Sequence, residues 1–274
     1  MINWLHTWQP HAIAFSIGPL SVHWYSLFIV LGMASALLIS LRLAKLYHLD
    51  RDLIFDLSFW LIINGLIGAR LYEGLIEFSY YSAHPWSILK VWEGGLAIHG
   101  GIIAGLITLI YFSKKHSWSF WKLSALFAPG LALGQAIGRF GNYFNQELFG
   151  KPTNLPWGIP IDLLNRPLEY LSSPFFHPTF LYESLGLLII FVILLTLTLI
   201  TSRRQTISLL SAKLITGLYI LLASALRLML EFIKIDYTPV LFGWRLPQIT
   251  SLVLIIIFLI FIIFTPYEKT NQSS

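Results

Sequence analysis

Long apolar stretches alternate with short polar connections along almost the whole chain. A membrane-spanning helix needs roughly 20 predominantly apolar residues, and the pattern predicts seven spans. Their approximate bounds are Leu20–Leu46, Leu53–Leu75, Leu96–Phe112, Leu123–Ile137, Leu181–Ile200, Leu214–Ile233 and Ile249–Phe264. The third and fourth are short, so they are either tilted segments shielded by protein or helices that extend several residues further. The pattern predicts an all-α, polytopic integral membrane protein.

The composition agrees with a membrane protein. Hydrophobic residues make up 56% of the chain and charged residues 11%, and the mean hydropathy is +0.72. A soluble domain has to keep its surface wet and cannot be this apolar throughout. No repeat or low-complexity linker divides the sequence, so residues 1–274 are predicted to form a single transmembrane domain. The first basic residue is Arg42, so the N-terminus lacks the basic region of a cleavable signal peptide.

The distribution of lysine and arginine predicts the orientation, because cytoplasmic loops collect these residues. Alternate connections and the tail carry Arg42, Lys45, Arg51, Lys114, Lys115, Lys122, Arg203, Arg204, Lys213 and Lys269. This pattern predicts an N-terminus outside and a C-terminus in the cytoplasm. The long connections at about 76–95 and 138–180 are rich in Trp, Tyr and Pro, so we expect them to form an outer cap at the membrane interface. The net charge of +5 then needs no nucleic-acid partner.

The densest group of polar side chains is the run 138–147, which reads GRFGNYFNQE and follows the uncharged segment 123–137. Three glycines spaced four apart would line one face of the preceding helix and let a neighbouring helix come close. They are Gly130, Gly134 and Gly138. Such a helix would bring Arg139 and Asn142 to the edge of the bilayer. That placement is suited to an anionic ligand.

Two further arginines lie in apolar spans. A central arginine costs roughly 2.5–3.5 kcal/mol on insertion scales, and Arg227 could offset this cost by pairing with Glu231, four residues on. One interpretation is an internal ion pair that fixes helix packing. The other is that the forked guanidinium groups of Arg139 and Arg227 bind a phosphate in a bidentate manner. Arg70 is a third membrane-embedded cation of the same kind.

His99 lies between two glycine pairs, 94–95 and 100–101, which allow backbone or ligand to approach it closely. An isolated histidine in an apolar segment is either a hydrogen-bonded packing residue or a proton acceptor, since imidazoles titrate near neutral pH. The segment from His177 to Glu183 opens the fifth span, where a structural role in the first helical turns is expected. Tyr25 could offer its phenol to a lipid headgroup or belong to an aromatic belt.

Several enzyme classes lack their sequence signals here. There is no cysteine, no His-Glu-x-x-His, no Gly-x-Ser-x-Gly and no phosphate-binding Gly-x-x-x-x-Gly-Lys. The sequence therefore predicts no metal, no cofactor and no nucleotide as an energy source.

The run 138–147 closely resembles the signature of bacterial prolipoprotein diacylglyceryl transferases. Four other matches follow the family's order, and the resemblance extends over nearly the whole chain. They are His23-Trp24-Tyr25, the segment from Trp92 to Gly101, His177-Pro178-Thr179 with Leu181-Tyr182-Glu183, and Arg227 with Glu231.

The resemblance implies an enzyme that moves the diacylglyceryl group of phosphatidylglycerol to the thiol of a lipobox cysteine in a preprolipoprotein signal peptide. A thioether forms and glycerol phosphate is released. The resemblance also implies a multi-pass protein of the bacterial cytoplasmic (inner) membrane, with its active site towards the outer leaflet.

The resemblance further assigns roles to residues. The catalytic residues it implies are His99, Arg139 and Arg227. The residues implied to bind phosphatidylglycerol are Arg139, Tyr25, Asn142, Glu147, Arg227 and Glu231, and those in supporting roles are Arg70, Gly100, Gly101, His177 and Glu183. We hypothesise that the two catalytic arginines hold the phosphate while His99 assists deprotonation of the thiol. An arginine-lined site that lowers the thiol pKa unaided is the alternative.

The chain departs from the family pattern at four positions. Ala223 stands where a tyrosine is usual, Phe180 where a glutamine is usual and Ala125 where an acidic residue is usual, while Tyr72 is displaced from the position expected for a tyrosine. Two other functions would use the same intramembrane arginines. One is a transporter or flippase for an anionic phospholipid or organophosphate, which should show a polar pathway to both sides. The other is a scaffold that binds lipid without turnover.

Overall fold

The computed structural model describes residues 4–18, 20–203 and 207–264, and helices dominate it. The helices are α1 (Trp4–Thr7), α2 (Trp24–Ala44), α3 (Arg51–Ile76), α4 (Phe78–Ala83), α5 (Ile98–Lys115), α6 (Phe120–Phe144), α7 (Thr179–Ser202), α8 (Leu209–Glu231) and α9 (Leu246–Phe264). Three antiparallel strand pairs accompany them: β1 (Ile13–Ile17) with β2 (Leu20–His23), β3 (Ile159–Pro160) with β4 (Phe175–Phe176), and β5 (Val240–Leu241) with β6 (Trp244–Arg245).

Five helical segments are long and apolar enough to cross a membrane, as judged by length and composition. They are Trp24–Tyr47, Arg51–Ile76, Thr179–Ser202, Leu209–Glu231 and Leu246–Phe264. These segments coincide with five of the predicted spans, and the all-α, polytopic architecture is confirmed. The third and fourth predicted spans correspond to α5 and α6, which are helices outside that group of five. The count of seven spans therefore stays a prediction.

Helix α6 extends further than the sequence pattern indicated. Its predicted end was Ile137, but the helix continues to Phe144 and is 25 residues long. The residues 138–144 were expected to begin the second cap segment because they include polar side chains. They instead form the last turns of α6, so Arg139 and Asn142 project from a helix.

Helices α2 and α6 approach until their backbones are in contact. A Cβ atom added to Gly134 would lie 2.9 Å from the Gly32 carbonyl oxygen, and one added to Gly130 would lie 2.7 Å from the Ala36 carbonyl oxygen. The predicted small-residue face is therefore confirmed for these two glycines. It is wrong for Gly138, which has no atom within 4 Å of an added Cβ.

Helices α3 and α5 pack in the same way. An added Cβ on Gly100 would lie 2.2 Å from the Gly68 carbonyl oxygen, and one on Gly101 would lie 3.4 Å from that of Gly65. Only glycine permits the approach at the first of these positions. The contact fixes the first turn of α5, and with it His99, against α3.

Successive long helices run antiparallel, so the connections alternate between two ends of the bundle. One end gathers the short connections, together with the described basic residues that were predicted to be cytoplasmic. Arg204 and Lys269 lie outside the described residues. We call the other end the cap end; it contains residues 4–18, 20–23, 77–97, 145–178 and 232–245.

Two apolar clusters hold the bundle together. The larger includes Leu57, Leu126 and Leu194, all fully buried, and Ala125 lies within it at 0% exposure. The smaller lies at the cap end and contains Tyr143, Phe149, Ile159, Ile161, Phe176 and Phe180. Because the smaller cluster surrounds the last turn of α6, it supports the helix end from which the polar signature projects.

Candidate active site

Arg139 and its neighbours form a connected polar group at the end of α6. The Nη2 atom of Arg139 lies 2.6 Å from Oε1 of Glu183 on α7, and Nη1 donates a 3.3 Å hydrogen bond to Oδ1 of Asn142. Asn142 in turn donates through Nδ2 to Oε1 of Glu147 at 2.7 Å. The structure thus joins three predicted site residues of the signature to a carboxylate predicted to have a supporting role.

Glu183 is shared between two cations. Its Oε2 atom lies 2.8 Å from Nζ of Lys234, and both residues are buried, with exposures of 5% and 3%. Burial lowers the pKa of Lys234; the Glu183 carboxylate opposes this shift, and the positive charges of Arg227 and Arg139 add to it. These four groups therefore lie within electrostatic range of one another.

Arg227 pairs with Glu231, as their spacing on α8 indicated. The Nη2 atom of Arg227 lies 3.2 Å from Oε2 of Glu231, and Nε of Arg245 lies 3.2 Å from Oε1. Both contacts lack hydrogen-bond alignment, so within the described part of the chain neither carboxylate oxygen has a hydrogen-bond donor. Charge attraction alone holds this buried carboxylate between its two guanidinium groups.

Arg245 also fixes the turn that follows α8. It donates through Nη1 to the carbonyl oxygen of Lys234 at 2.5 Å and through Nε to Oγ1 of Thr238 at 2.8 Å. Its Nη2 donates to the carbonyl oxygen of Asp236. The side chain of Arg245 therefore holds the turn from 232 to 238 in place.

The exposure of these side chains differs according to their charge. The side chains of Arg139 and Arg227 are 27% and 28% exposed, whereas those of Glu183 and Glu231 are 7% and 0% exposed. Each arginine thus pairs with a buried carboxylate while more than a quarter of its own side chain stays accessible. Glu231 was expected to bind lipid directly, but a fully buried carboxylate can reach a ligand only through Arg227.

Tyr25, on the first turn of α2, lies against the signature. A Cβ added to Gly141 would lie 2.9 Å from Cδ2 of Tyr25, so the ring occupies the space that a side chain would fill. Glu147 and Arg139 both act electrostatically on the phenol. The structure therefore brings Tyr25 together with the Arg139 group.

His99 stands apart from this group. It is exposed on the first turn of α5, and its ring centroid lies 6.0 Å from that of Tyr72. No hydrogen bond or ion pair joins it to the two arginines among the described residues. Its proposed role as a base stays a prediction.

Arg70 is buried, with 5% exposure, and its guanidinium is fully occupied by main-chain carbonyls. Its five N–H groups donate to the carbonyl oxygens of Ser87, Ile88, Lys90, Gly94 and Gly95. The ring of Tyr81 lies 5.2 Å from its Cζ atom. Arg70 therefore holds the segment before α5 in place and has no donor left for a ligand.

A comparison with known protein families identifies the family of this chain. The model of the family described as prolipoprotein diacylglyceryl transferase matches residues 12–264. The chain belongs to this family. It is therefore a transferase and a multi-pass membrane protein.

Curated relatives named phosphatidylglycerol–prolipoprotein diacylglyceryl transferase are similar over most of the chain. One from a Nostoc species is 46% identical over 189 residues, which cover 69% of this chain and 67% of the relative. One from Synechococcus elongatus is 41% identical over 247 residues, covering 90% and 84%. One from Bacillus velezensis is 40% identical over 249 residues, covering 89% and 88%.

His177 contacts Tyr182 at the cap end of this transferase. The hydroxyl of Tyr182 accepts a 2.8 Å hydrogen bond from Nε1 of Trp157 and lies 3.1 Å from Nδ1 of His177. The indole donates to this hydroxyl, and the direction of the bond between the hydroxyl and Nδ1 depends on the histidine tautomer. Burial lowers the pKa of His177. It contributes to the cap end and does not join the arginines.

Sequence reasoning assigned no role to three residues that the structure connects to the candidate site. Lys234 and Arg245 complete the charge network, and Gln146 fastens the cap end, donating to the Pro10 carbonyl oxygen at 3.0 Å and to Oδ2 of Asp162 at 2.6 Å. A signal existed for the two cations, because they lie outside the loops that the positive-inside pattern explains. Gln146 belongs to the signature run 138–147, but no role was assigned to it.

One departure from the family pattern, Phe180, has a local explanation in this transferase. Phe180 stacks on Tyr143, with ring centroids 4.5 Å apart and an interplanar angle of 20°. The hydroxyl of Tyr143 is buried and has no hydrogen-bond partner in the described part of the chain. At this position an aromatic contact therefore replaces the polar one that glutamine would offer.

Proposed function

We propose that this transferase moves the diacylglyceryl group of phosphatidylglycerol to the thiol of the lipobox cysteine of a preprolipoprotein. The observation that carries the proposal is the pair Arg139 and Arg227, each with a partly exposed side chain and a buried carboxylate partner. The curated relatives are named for the same lipid and the same protein substrate.

The two guanidinium groups are suited to the phosphate of the lipid. Arginine binds phosphate oxygens through parallel N–H donors, and the buried carboxylates of Glu183 and Glu231 hold these donors in place. Negative charge grows on the phosphate as the carbon–oxygen bond breaks. Donors fixed around that charge in a low-dielectric site stabilise the transition state more than the ground state.

The chemical step is a substitution at the glycerol carbon next to the phosphate. The thiolate sulfur attacks this carbon and forms the thioether, while the carbon–oxygen bond breaks and its electron pair leaves with glycerol phosphate. The thiol proton passes to a base. A free thiol with a pKa of about 8.5 is only slightly ionised at neutral pH, so a base increases the reactive fraction.

His99 is the base in this proposal. It is exposed at the cap end, and the contact of Gly100 with Gly68 fixes the helix turn that carries it. Tyr25, Asn142 and Glu147 adjoin Arg139 and contact the lipid headgroup, while Glu231 acts through Arg227.

We also propose that the protein lies in the bacterial cytoplasmic membrane with the cap end facing out, the N-terminus outside and the C-terminus inside. The chain contains no cysteine, so single cysteines can report orientation without background. A membrane-impermeant maleimide should label Ser172→Cys in right-side-out vesicles and Lys115→Cys only in inverted ones. The reverse labelling would contradict this orientation.

The activity can be tested with purified protein, phosphatidylglycerol and a peptide bearing a lipobox cysteine. We expect the peptide to gain the mass of a diacylglyceryl group with stoichiometric release of glycerol phosphate. Arg139→Ala should abolish both signals, whereas Arg51→Ala, an exposed arginine at the opposite end, should retain them. A flippase would move labelled lipid between leaflets without any mass gain, and that outcome would overturn the proposal.

A further inference from the structure

Lys234 is a buried cation that the proposed chemistry does not use directly. It follows α8 by three residues, and its side chain is 1% exposed. A buried ammonium is costly unless it is paired and hydrogen-bonded. Lys234 meets this requirement through one carboxylate, Oε2 of Glu183 at 2.8 Å.

The side chain of Lys234 acts on Arg139 through that carboxylate. The second oxygen of Glu183 lies 2.6 Å from Nη2 of Arg139. The ammonium thus lies at one oxygen of Glu183 and the guanidinium at the other. With Nη2 on Glu183 and Nη1 on Asn142, Arg139 keeps further N–H groups for a ligand.

The main chain of Lys234 is tied to the other arginine. Its carbonyl oxygen accepts a 2.5 Å hydrogen bond from Nη1 of Arg245, and Nε of Arg245 lies 3.2 Å from Oε1 of Glu231. Glu231 pairs with Arg227 at 3.2 Å. The amide of Lys234 also donates to the Leu230 carbonyl at 3.0 Å, which fixes the residue against the end of α8.

We propose that Lys234 is a positioning residue that sets the relative placement of the Arg139 and Arg227 guanidinium groups. The inference rests on the proposed function, because it concerns how those groups meet the phosphate of the lipid. Lys234 is closed off from any ligand by its burial. It acts through Glu183 on one side and through Arg245 and Glu231 on the other.

Loss of the ammonium should change the orientation of Arg139. Without Lys234, both oxygens of Glu183 are free to pair with the Arg139 guanidinium, which then turns its fork away from the phosphate. A displacement of about 1 Å in a reacting group can cost on the order of 100-fold in rate. The loss should appear with phosphatidylglycerol as the varied substrate and leave KM for the peptide unchanged.

The test uses Lys234→Met, which keeps the chain length and removes the charge, and Lys151→Met as the control. Lys151 is an exposed lysine at the cap end. In the purified full-length protein, we expect Lys234→Met to lower kcat/KM for phosphatidylglycerol by about 10- to 100-fold, with Lys151→Met within twofold of the unmodified protein. Lys234→Arg, which restores a cation, should recover most of the loss.

A purely structural lysine would give a different result. Lys234→Met would then lower the Tm while the folded fraction kept its kcat/KM for phosphatidylglycerol, and this outcome overturns the inference. So does an equal loss for both substrates, or a Lys234→Arg variant no better than Lys234→Met.

If Lys234→Met fails to fold, the substitution is made together with Glu183→Gln, which removes the second charge of the buried pair, and is compared with Glu183→Gln alone. In that background Lys234→Met should cause no further selective loss, because the ammonium acts through Glu183, and a further loss would overturn the inference. Failure of the proposed function is distinguishable, because the unmodified protein would then transfer nothing to the peptide.

Discussion

Two arginine sites near the membrane boundary use the same side chain in opposite ways. Arg70 donates all five of its N–H groups to carbonyl oxygens of the segment 87–95 and is 5% exposed. Arg139 is held by one carboxylate and one amide, and 27% of its side chain remains exposed. We call the Arg70 site closed, because all of its donors are used within the protein, and the Arg139 site open, because it keeps donors for a ligand.

The difference indicates what would suit a membrane-embedded arginine to ligand binding. Burial of a guanidinium is costly in either setting, and each site offsets that cost. Carbonyl dipoles around Arg70 satisfy every donor and order a loop. A carboxylate behind Arg139 balances its charge and leaves donors for a ligand. The number of uncommitted N–H donors therefore distinguishes the two roles better than the presence of an arginine does.

The largest expected effect is on stability, from Arg70→Met. This change removes five donors, and each buried carbonyl left unsatisfied costs about 1–3 kcal/mol. We expect most of the protein to be lost from the folded fraction in detergent, measured by size-exclusion chromatography and thermal unfolding. An Arg70→Met variant that is as stable as the unmodified protein yet has lost lipid transfer would contradict the structural role assigned to Arg70.

Arg139→Lys should have the next largest effect, this time on turnover. Lysine keeps the charge but loses the planar fork, and removal of one preorganised donor costs about 10²- to 10³-fold in kcat. The Tm should change little, because Lys234 still pairs with Glu183. Near-normal transfer by this variant would show that charge alone suffices and that the open fork of Arg139 is irrelevant.

His99→Gln should lower kcat by about 100-fold, within the range for loss of general base catalysis. His99 follows the segment that Arg70 holds in place. This variant therefore tests whether the loop ordered by Arg70 contributes a residue to the reaction at Arg139. A peptide with selenocysteine, whose selenol is already ionised at neutral pH, should recover most of the rate. Undiminished transfer to the ordinary cysteine peptide would remove His99 from the mechanism.

Tyr81→Leu should have the smallest effect. The Tyr81 ring lies 5.2 Å from Arg70, and a cation–π contact of this kind contributes about 0.5–1 kcal/mol. We expect a slightly lower Tm and unchanged transfer per folded molecule. A selective loss of transfer at unchanged Tm would blur the distinction between the two sites.

The sequence was sufficient for the helices because apolar length is a strong signal in a membrane protein. It placed the end of α6 too early, since Arg139 and Asn142 look like loop residues although they extend a helix at the bilayer edge. The strand pairs β3–β4 and β5–β6 are two residues per strand, too short to show an alternating pattern.

The candidate site was predictable where residues lie close together in the chain. Arg139, Asn142 and Glu147 belong to one motif, and Arg227 and Glu231 are one helical turn apart. The pairing of Lys234 with Glu183 joins residues 51 positions apart, so only the tertiary packing of α7 against the end of α8 reveals it. The partners of Arg70 are main-chain carbonyl oxygens, so the identities of those residues could not indicate the contact.

The contact between Gly32 and Gly134 has a consequence for how the enzyme responds to its bilayer. Main-chain atoms make this contact, so no rotamer change can lengthen or shorten it. A membrane that thickens or thins is accommodated by tilting of its helices, and here α2 and α6 must tilt as one body. Tyr25 and Asn142 at their ends then keep the same register in lipids of different acyl length.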